Sequence, residues 1–241
     1  EAGPAVEILP LGLGDSSTLF ASAADRTVLY RYHVTSRSGQ PSSLRELPSI
    51  PVQALLSGTI LNGCTTRDGD ILLGIAGVGM AVFGKNEIRP RQSITSADGL
   101  RGSTILVVYE DVNGDVWAGD FHEGLTHLHK DRDRWKVMRS YTVKDGLPDN
   151  HIRSIAQDAE GRFWIGTRYG GVTCTDGQMF RTLSRKDGLH GDKIWDIAPG
   201  QRQTVWVGTD YGLERIDAKN FTVVPVASLL SGSNVFRCGT T

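Results

Sequence analysis

The sequence predicts an all-β protein of the β-propeller class, with about five four-stranded blades followed by the first strand of another. Three observations favour this fold. A tryptophan recurs at a fixed place in an internal repeat, the repeat has the length of a propeller blade, and short apolar runs alternate with glycine-rich turns. No helical spacing of apolar residues is sustained, and the intervals between strands have no room for the helices of a βαβ fold.

The repeat is clearest in three segments that align without a gap. Each begins with Asp-Gly-Leu and reaches a tryptophan nineteen residues after the aspartate; the segments begin at Asp98, Asp145 and Asp187 and reach Trp117, Trp164 and Trp206. An isoleucine lies twelve residues before each tryptophan, at Ile105, Ile152 and Ile194. The resulting period of 42 to 47 residues is typical of propeller blades.

Weaker copies of the repeat flank these three segments. On the N-terminal side, Leu72 takes the tryptophan position of one copy and Phe20 that of another, with Ile8 in the innermost strand. At the C-terminal end, Leu230 and Val235 match the opening of a further unit. The predicted blades of one propeller domain are therefore 1–47, 48–95, 96–142, 143–184 and 185–226, with an incomplete blade at 227–241. This last blade predicts that the chain is a fragment of a longer receptor, forming an open or strained arc.

Each repeat predicts four strands separated by turn residues. In the third blade the predicted strands are Ile105–Tyr109, Val116–Ala118, Leu125–His129 and Trp135–Ser140. The recurrent tryptophans are expected in the core between blades, because blades bury their faces against their neighbours. The Asp-Gly-Leu element is expected to be a turn device, in which the aspartate bonds to the backbone two residues on, glycine adopts a positive φ and leucine enters the core.

Composition excludes several classes of partner and site. The chain of 241 residues has 39% hydrophobic and 22% charged residues, a net charge of −1, and no block of lysine and arginine, so neither nucleic acid nor an anionic membrane surface is favoured as a partner. No apolar run is long enough for a membrane span. The three cysteines, Cys64, Cys174 and Cys238, lack the spacing of metal ligands. They are interpreted as buried thiols, and whether any two of them form a disulfide stays open.

Two strings carry a family resemblance. The first string is Asp145-Gly146-Leu147-Pro148-Asp149-Asn150-His151-Ile152, and the second runs from Asp158 to Thr167 and contains Phe163-Trp164-Ile165-Gly166. Together they resemble the two-component regulator propeller repeat. Residues 187–189 and 206–213 repeat the pattern, and strong matches cover about half of the chain. The resemblance implies the periplasmic part of a bacterial receptor, within a propeller of seven blades that precedes a membrane span and a histidine kinase or other output domain. It also implies a homodimer through the full receptor, with the membrane contacted only by segments absent from this chain.

The candidate ligand site follows from strand direction. Because strands alternate in direction within a blade, the inter-blade connection and the loop after the tryptophan strand emerge on the same face. The polar and aromatic residues of these loops are the candidate ligand-binding residues: Arg101, Asp149, Asn150, His151, Arg168, Tyr169, Asp192, Lys193, Asp210 and Tyr211. Such a set suits a small polar ligand such as an oligosaccharide. The simpler alternative is that turn residues are polar because loops are solvated.

No catalytic signature, cofactor motif or complete metal site is present, so the chain is predicted to bind and signal without catalysing a reaction. Asp111 to Asp115 resemble the start of a calcium loop but lack the glutamate at the twelfth position, and a hairpin turn is favoured. Two alternatives stay open. One is a propeller enzyme of the polysaccharide lyase or glycoside hydrolase type using Asp149, Asp192 and Asp210; the other is a protein-interaction scaffold.

Overall fold

A computed structural model describes residues 6–7, 18–23, 28–35, 43–51, 56–176 and 179–224. Their strands form five four-stranded sheets, each built from four strands consecutive in the chain. Blade 1 contains β1 (Val6–Glu7), β2 (Thr18–Ala23), β3 (Leu29–Thr35) and β4 (Ser43–Ile50). Blade 2 contains β5 (Ile60–Thr65), β6 (Ile71–Ile75), β7 (Gly79–Phe83) and β8 (Gln92–Ile94).

The remaining three blades follow the same plan. Blade 3 contains β9 (Ile105–Glu110), β10 (Val116–Asp120), β11 (Leu125–Asp131) and β12 (Arg134–Tyr141). Blade 4 contains β13 (Ile152–Gln157), β14 (Phe163–Thr167), β15 (Val172–Thr175) and β16 (Phe180–Leu183). Blade 5 contains β17 (Ile194–Pro199), β18 (Thr204–Thr209), β19 (Gly212–Asp217) and β20 (Thr222–Val224).

One predicted blade limit is wrong. The limit at residue 47 falls inside β4, because β3 and β4 continue to pair as far as Leu29 with Ile50. The innermost strand expected around Ile8 is present as β1, although Ile8 itself lies outside the described residues. The incomplete blade at 227–241 also lies outside them, and the arc and fragment expectations that rest on it stay predictions. Within the described part of the chain, no helix is both long and apolar enough to cross a membrane.

The chain divides into two compact units, one made of residues 1–118 and 128–137 and the other of 119–127 and 138–241. The first unit has two apolar clusters, one centred on Leu73 and Phe83 and one on Leu72 and Trp135. The second unit has one cluster, which contains Trp164. The single propeller domain stays a prediction.

The tryptophan position is the same in successive blades. In blades 2, 4 and 5 its partner across the first strand pair is a small residue: Leu72 faces Cys64, Trp164 faces Ala156 and Trp206 faces Ala198. The burial expected for all three tryptophans holds only for Trp164, whose ring stacks on that of Phe221 from the following blade with centroids 5.9 Å apart. Trp117 and Trp206 are half-buried.

The Asp-Gly-Leu element ends a short 3-10 turn between blades. The turns are Ser96–Asp98, Val143–Asp145 and Arg185–Asp187, and each has a capping box. In the middle one, the Asp145 carboxylate accepts from the backbone N–H of Thr142 at 2.9 Å, Gly146 has φ of 113°, and Leu147 is buried. The aspartate therefore bonds three residues back rather than two residues on, which corrects that detail of the turn device.

The aspartate that opens the first hairpin of a blade organises the turn. Asp111 accepts from the backbone N–H groups of Asn113 at 2.8 Å and Asp115 at 3.0 Å, and from the indole N–H of Trp117 at 3.0 Å. The carboxylate is thus used by the chain's own donors, and the hairpin interpretation of this segment is confirmed.

Candidate ligand-binding site

The predicted loops meet at one end of blades 4 and 5, within the second compact unit. The pairs Ile152 with Thr167 and Ile194 with Thr209 place the start of each first strand beside the end of each second strand. Across this end, the backbone N–H of Arg168 donates to the His151 carbonyl oxygen at 3.0 Å. The inter-blade connection and the turn after the tryptophan strand therefore share a face, as strand direction predicts.

Three of the predicted polar residues hold these loops in place. The Asp149 carboxylate accepts from the backbone N–H groups of His151 at 3.2 Å and Tyr169 at 3.0 Å, which ties the connection to the turn. Asn150 and Asp192 occupy equivalent positions. Their side chains accept from the first residue of their own 3-10 turns, Val143 at 2.9 Å and Arg185 at 2.7 Å.

The backbone at these two positions also joins neighbouring blades. The carbonyl oxygens of Asn150 and Asp192 accept from the N–H groups of Gly124 and Gly171 in the preceding blades, at 3.0 and 2.9 Å. These recurring bonds give Asn150 and Asp192 a structural role whatever else they do, and the same applies to Asp149.

His151 is the buried centre of this face. Only 3% of its surface is exposed, and its ring lies 4.2 Å from that of Phe121 and 6.5 Å from that of Tyr169, measured between centroids. Burial lowers the pKa of His151 to about 4, assisted by the positive charges of Arg153 and Arg168. The ring is therefore neutral near pH 7, and its buried Nε2 atom makes no hydrogen bond.

Three cations gather around two aromatic rings on this face. The guanidinium carbon of Arg153 and the Nζ atom of Lys193 lie 4.2 and 4.3 Å from the ring centroid of Trp195, and the guanidinium carbon of Arg168 lies 5.0 Å from that of Tyr169. Burial, and then the charge of Arg168, lowers the pKa of Arg153.

Sequence reasoning missed Arg153 and Trp195. Both directly follow the repeated isoleucine of the first strand, and their side chains take part in the cation cluster above. A signal for them does exist in the repeat. The same position holds Leu61 and Leu106 in blades 2 and 3, so a cation and an indole depart from an apolar pattern there.

Asp210 and Tyr211 form the turn of blade 5 on the same face. Tyr211 occupies the position that Tyr169 has in blade 4. Tyr211 is 56% exposed and Tyr169 is 66% exposed. The Arg185 guanidinium carbon lies 5.8 Å from the Tyr211 ring centroid. The Oδ1 atom of Asp210 is buried without a hydrogen bond and packs so closely on Gly191 that a Cβ there would meet it.

Two further placements complete the survey of the predicted residues. Arg101 is exposed in the connection before blade 3 and belongs to the first compact unit, and its part in the ligand site stays a prediction. A shallow groove of about 500 Å³ in blades 4 and 5 shares no lining residue with the predicted site; it is lined by Arg181, Thr182, Leu183, Asp187, Phe221 and Thr222. Among the described residues, no three histidine, cysteine or acidic side chains are grouped for a metal ion.

Comparison with known proteins finds a family match for one repeat of the chain. Residues 146–169 match the family described as two component regulator propeller. Together with five four-stranded sheets, this match confirms the β-propeller fold and the resemblance to the two-component regulator propeller repeat. No curated protein matches the chain.

Solved structures of similar fold include two receptor domains from B. thetaiotaomicron. The extracellular domain of a protein described as a hybrid two-component system is 26% identical, with a TM-score of 0.64 over 92% of this chain and 30% of that one. The extracellular domain of one described as a one-component system is 24% identical, with a TM-score of 0.55 over 83% of this chain and 26% of that one. This chain thus spans less than a third of either protein structure.

A third similar structure is that of a protein described as a 6-phosphogluconolactonase from Bacteroides uniformis. It is 15% identical, with a TM-score of 0.63 over 91% of this chain and 69% of that one. At this identity the likeness concerns the fold alone.

Proposed function

We propose that this chain is the extracytoplasmic sensing part of a two-component signalling receptor, and that the face built by blades 4 and 5 binds a polar ligand of the carbohydrate class. The observation that carries the proposal is the pair of exposed tyrosines, Tyr169 and Tyr211, at equivalent turns of neighbouring blades. Exposed aromatic rings of this kind mark interaction sites, and a flat ring can stack on the apolar face of a sugar while nearby polar groups bond its hydroxyls.

The surroundings of the tyrosines support a preformed site. Each ring has a guanidinium nearby, and the turn of Tyr169 is fixed by the Asp149 carboxylate through a 3.0 Å hydrogen bond. Loops held in this way lose little freedom on binding, which lowers the entropic cost of association. The extracytoplasmic location is supported by the two similar structures that are extracellular domains. For the whole receptor, we propose that this part passes the signal to a kinase domain.

The enzyme alternative is less well supported by the arrangement of carboxylates. Asp149 and Asp192 already accept hydrogen bonds from backbone N–H groups that hold the loops, so using them as acid or base would compete with the structure of the face. The similarity to a protein described as a lactonase is at the level of fold. We therefore propose binding without turnover.

The experiment is calorimetric titration of the chain with a panel of oligosaccharides, with product analysis of the same mixtures. We expect binding to be lost or weakened at least about fivefold in Tyr169→Ala and Tyr211→Ala, because stacking on each ring contributes about 1 kcal/mol or more. Met179→Ala is the matched control, since Met179 is 68% exposed and lies at the opposite end of blade 4.

Two results would overturn this proposal. Binding that is unchanged in both tyrosine variants would place the ligand elsewhere. Release of cleaved product that Asp149→Asn or Asp210→Asn abolishes would make the chain an enzyme.

A further inference from the structure

The cations of the blade 4 and 5 face have no anionic partner within the described part of the chain. Arg153, Arg168 and Lys193 form no ion pair and donate no side-chain hydrogen bond there, whereas Arg162 bonds Asp158 at 2.8 Å and Lys130 bonds Asp70 at 2.8 Å. Leaving three positive charges together and partly buried is unfavourable, because each loses hydration and repels the others. Both effects are visible in the lowered pKa of Arg153.

The same cations are held in fixed positions by packing. Arg153 and Lys193 are placed by the Trp195 ring, and Arg168 by the Tyr169 ring. The Nε atoms of both arginines are buried without a hydrogen bond, so the guanidiniums are anchored by their stems and rings rather than by an acid. Among the described residues their terminal Nη donors meet no acceptor, and these donors are the groups that could bond an anion.

We infer that Arg153, Arg168 and Lys193 form a subsite for an anionic group of the ligand, so that the sensed molecule is an acidic saccharide carrying a carboxylate, sulfate or phosphate. A planar guanidinium donates two parallel hydrogen bonds to such groups, and a bound anion neutralises the clustered charge. This inference rests on the proposed function, since it specifies the ligand class of the same face.

The geometry favours a saccharide rather than a free anion as the source of the charge. Tyr169 contacts the Arg168 guanidinium and is 66% exposed, so an exposed stacking surface adjoins the cations. A ligand that carries both a ring and an acidic group would use the two features together. Asp149, an acid of the same face, is already engaged, since it accepts from two backbone N–H groups.

The test compares matched trisaccharides of galacturonic acid and of galactose by calorimetry on the chain at low and high salt, together with inorganic sulfate in thermal unfolding. We expect the acidic trisaccharide to bind at least about tenfold more tightly at low salt, with the preference shrinking as salt is added. The preference should disappear in Arg153→Gln and Arg168→Gln.

Matched variants make the result specific. Arg181→Gln is the control, because the Arg181 guanidinium carbon also lies 4.2 Å from an aromatic centroid, that of Phe221, but lines the separate groove. Arg168→Lys keeps the charge and tests whether the planar fork is needed; we expect it to retain part of the preference. Circular dichroism and thermal unfolding identify any variant that fails to fold. In that case the preference for the acidic trisaccharide is compared between the wild-type chain and Arg168→Lys.

The possible outcomes separate this inference from the proposed function. If both trisaccharides bind equally and the arginine variants change nothing, the anionic subsite is overturned while carbohydrate binding stands. If sulfate stabilises the wild-type chain in a way that needs Arg153 but no trisaccharide binds, the anionic subsite is supported and the carbohydrate proposal fails. If neither sulfate nor the acidic trisaccharide acts through Arg153, the inference is overturned.

Discussion

At the scale of single residues, Asp158 links a hairpin turn to the core of blade 4. Its carboxylate accepts from the indole N–H of Trp164 and from Nε of Arg162, both at 2.8 Å, and from the backbone N–H groups of Arg162 and Glu160. Trp164 is fully buried, so removing the acceptor would strand its indole N–H away from water.

We expect Asp158→Ala to lower the free energy of unfolding by about 2 to 4 kcal/mol, from the stranded indole donor together with the lost turn bonds. Chemical denaturation measures this. Glu160→Ala, which removes only a partly exposed ion pair with Arg162, should cost less than about 0.5 kcal/mol. Similar losses in the two variants would contradict the role assigned to Asp158.

His151 makes stability depend on pH. Its pKa in the folded chain is about 4, below its ordinary value of 6.5, because of burial and the charges of Arg153 and Arg168. The charge of His122 lowers this pKa further, whereas the charge of Asp149 raises it. As pH falls from 6.5 towards 4, the unfolded chain takes up a proton before the folded chain does, so folding stability is lost across that window, by about 3 kcal/mol at most.

The check is to measure unfolding free energies at about pH 7.5, above that window, and at about pH 4.5, near its lower end. His151→Gln should be less sensitive to acid than the wild-type chain, because it cannot take up this proton. His127→Gln, a second histidine-to-glutamine change, is the control for the substitution itself. If His151→Gln loses as much stability as wild type between the two values, the acid sensitivity arises elsewhere.

At the scale of elements, the glycine before the third strand of blades 3 and 4 allows a close approach of backbones. Gly171 has φ of 80°, and a Cβ added there would meet the Leu183 carbonyl oxygen on the neighbouring strand. Gly114 has a similar φ of 84° but nothing within 4 Å of an added Cβ. The two glycines therefore separate the effect of φ from the effect of space.

We expect Gly114→Ala to cost about 1 kcal/mol, the strain of a left-handed backbone, and Gly171→Ala to cost clearly more because β15 and β16 must also move apart. Denaturant midpoints of the two variants measure the difference. Since the Gly171 N–H bonds the Asp192 carbonyl oxygen at 2.9 Å, ligand binding by the face should weaken only in Gly171→Ala. Equal costs would mean that the strands are not so closely packed.

Much of the element structure follows from the repeat. The four strands predicted for blade 3 agree with β9 to β12 to within two residues at each end, because apolar alternation and turn residues are local signals. The backward bond of Asp145 and the partial exposure of Trp206 depend on contacts that no local pattern records. The shared loop face was predictable from strand direction alone. The pairing of Arg153 with Trp195 was not, because it joins first strands of two different blades.

At the scale of the whole molecule, the described residues of the chain contain no disulfide bond. Cys64 and Cys174 are buried free thiols, in the first and second compact units respectively, and the chain has three cysteines in all. Cys238 lies outside the described residues, so the absence of a disulfide bond is a statement about the described part of the chain. There the blades are held by apolar burial, strand pairing and the capped turns.

Both thiols should therefore be protected in the folded chain and reactive only after it opens. Burial raises the pKa of Cys174 to about 11 and that of Cys64 further, so at neutral pH little thiolate is available at either site. We expect the melting temperature to be the same with and without a reducing agent, and mass spectrometry after brief alkylation to find Cys64 and Cys174 unmodified in buffer and modified in denaturant. Since Cys64 has the larger shift, it should be modified no faster than Cys174. A lowered melting temperature in reducing agent would show that one of these thiols is paired. Rapid modification of Cys64 in buffer would show that this thiol is exposed and that the apolar core around Leu72 is not closed as described.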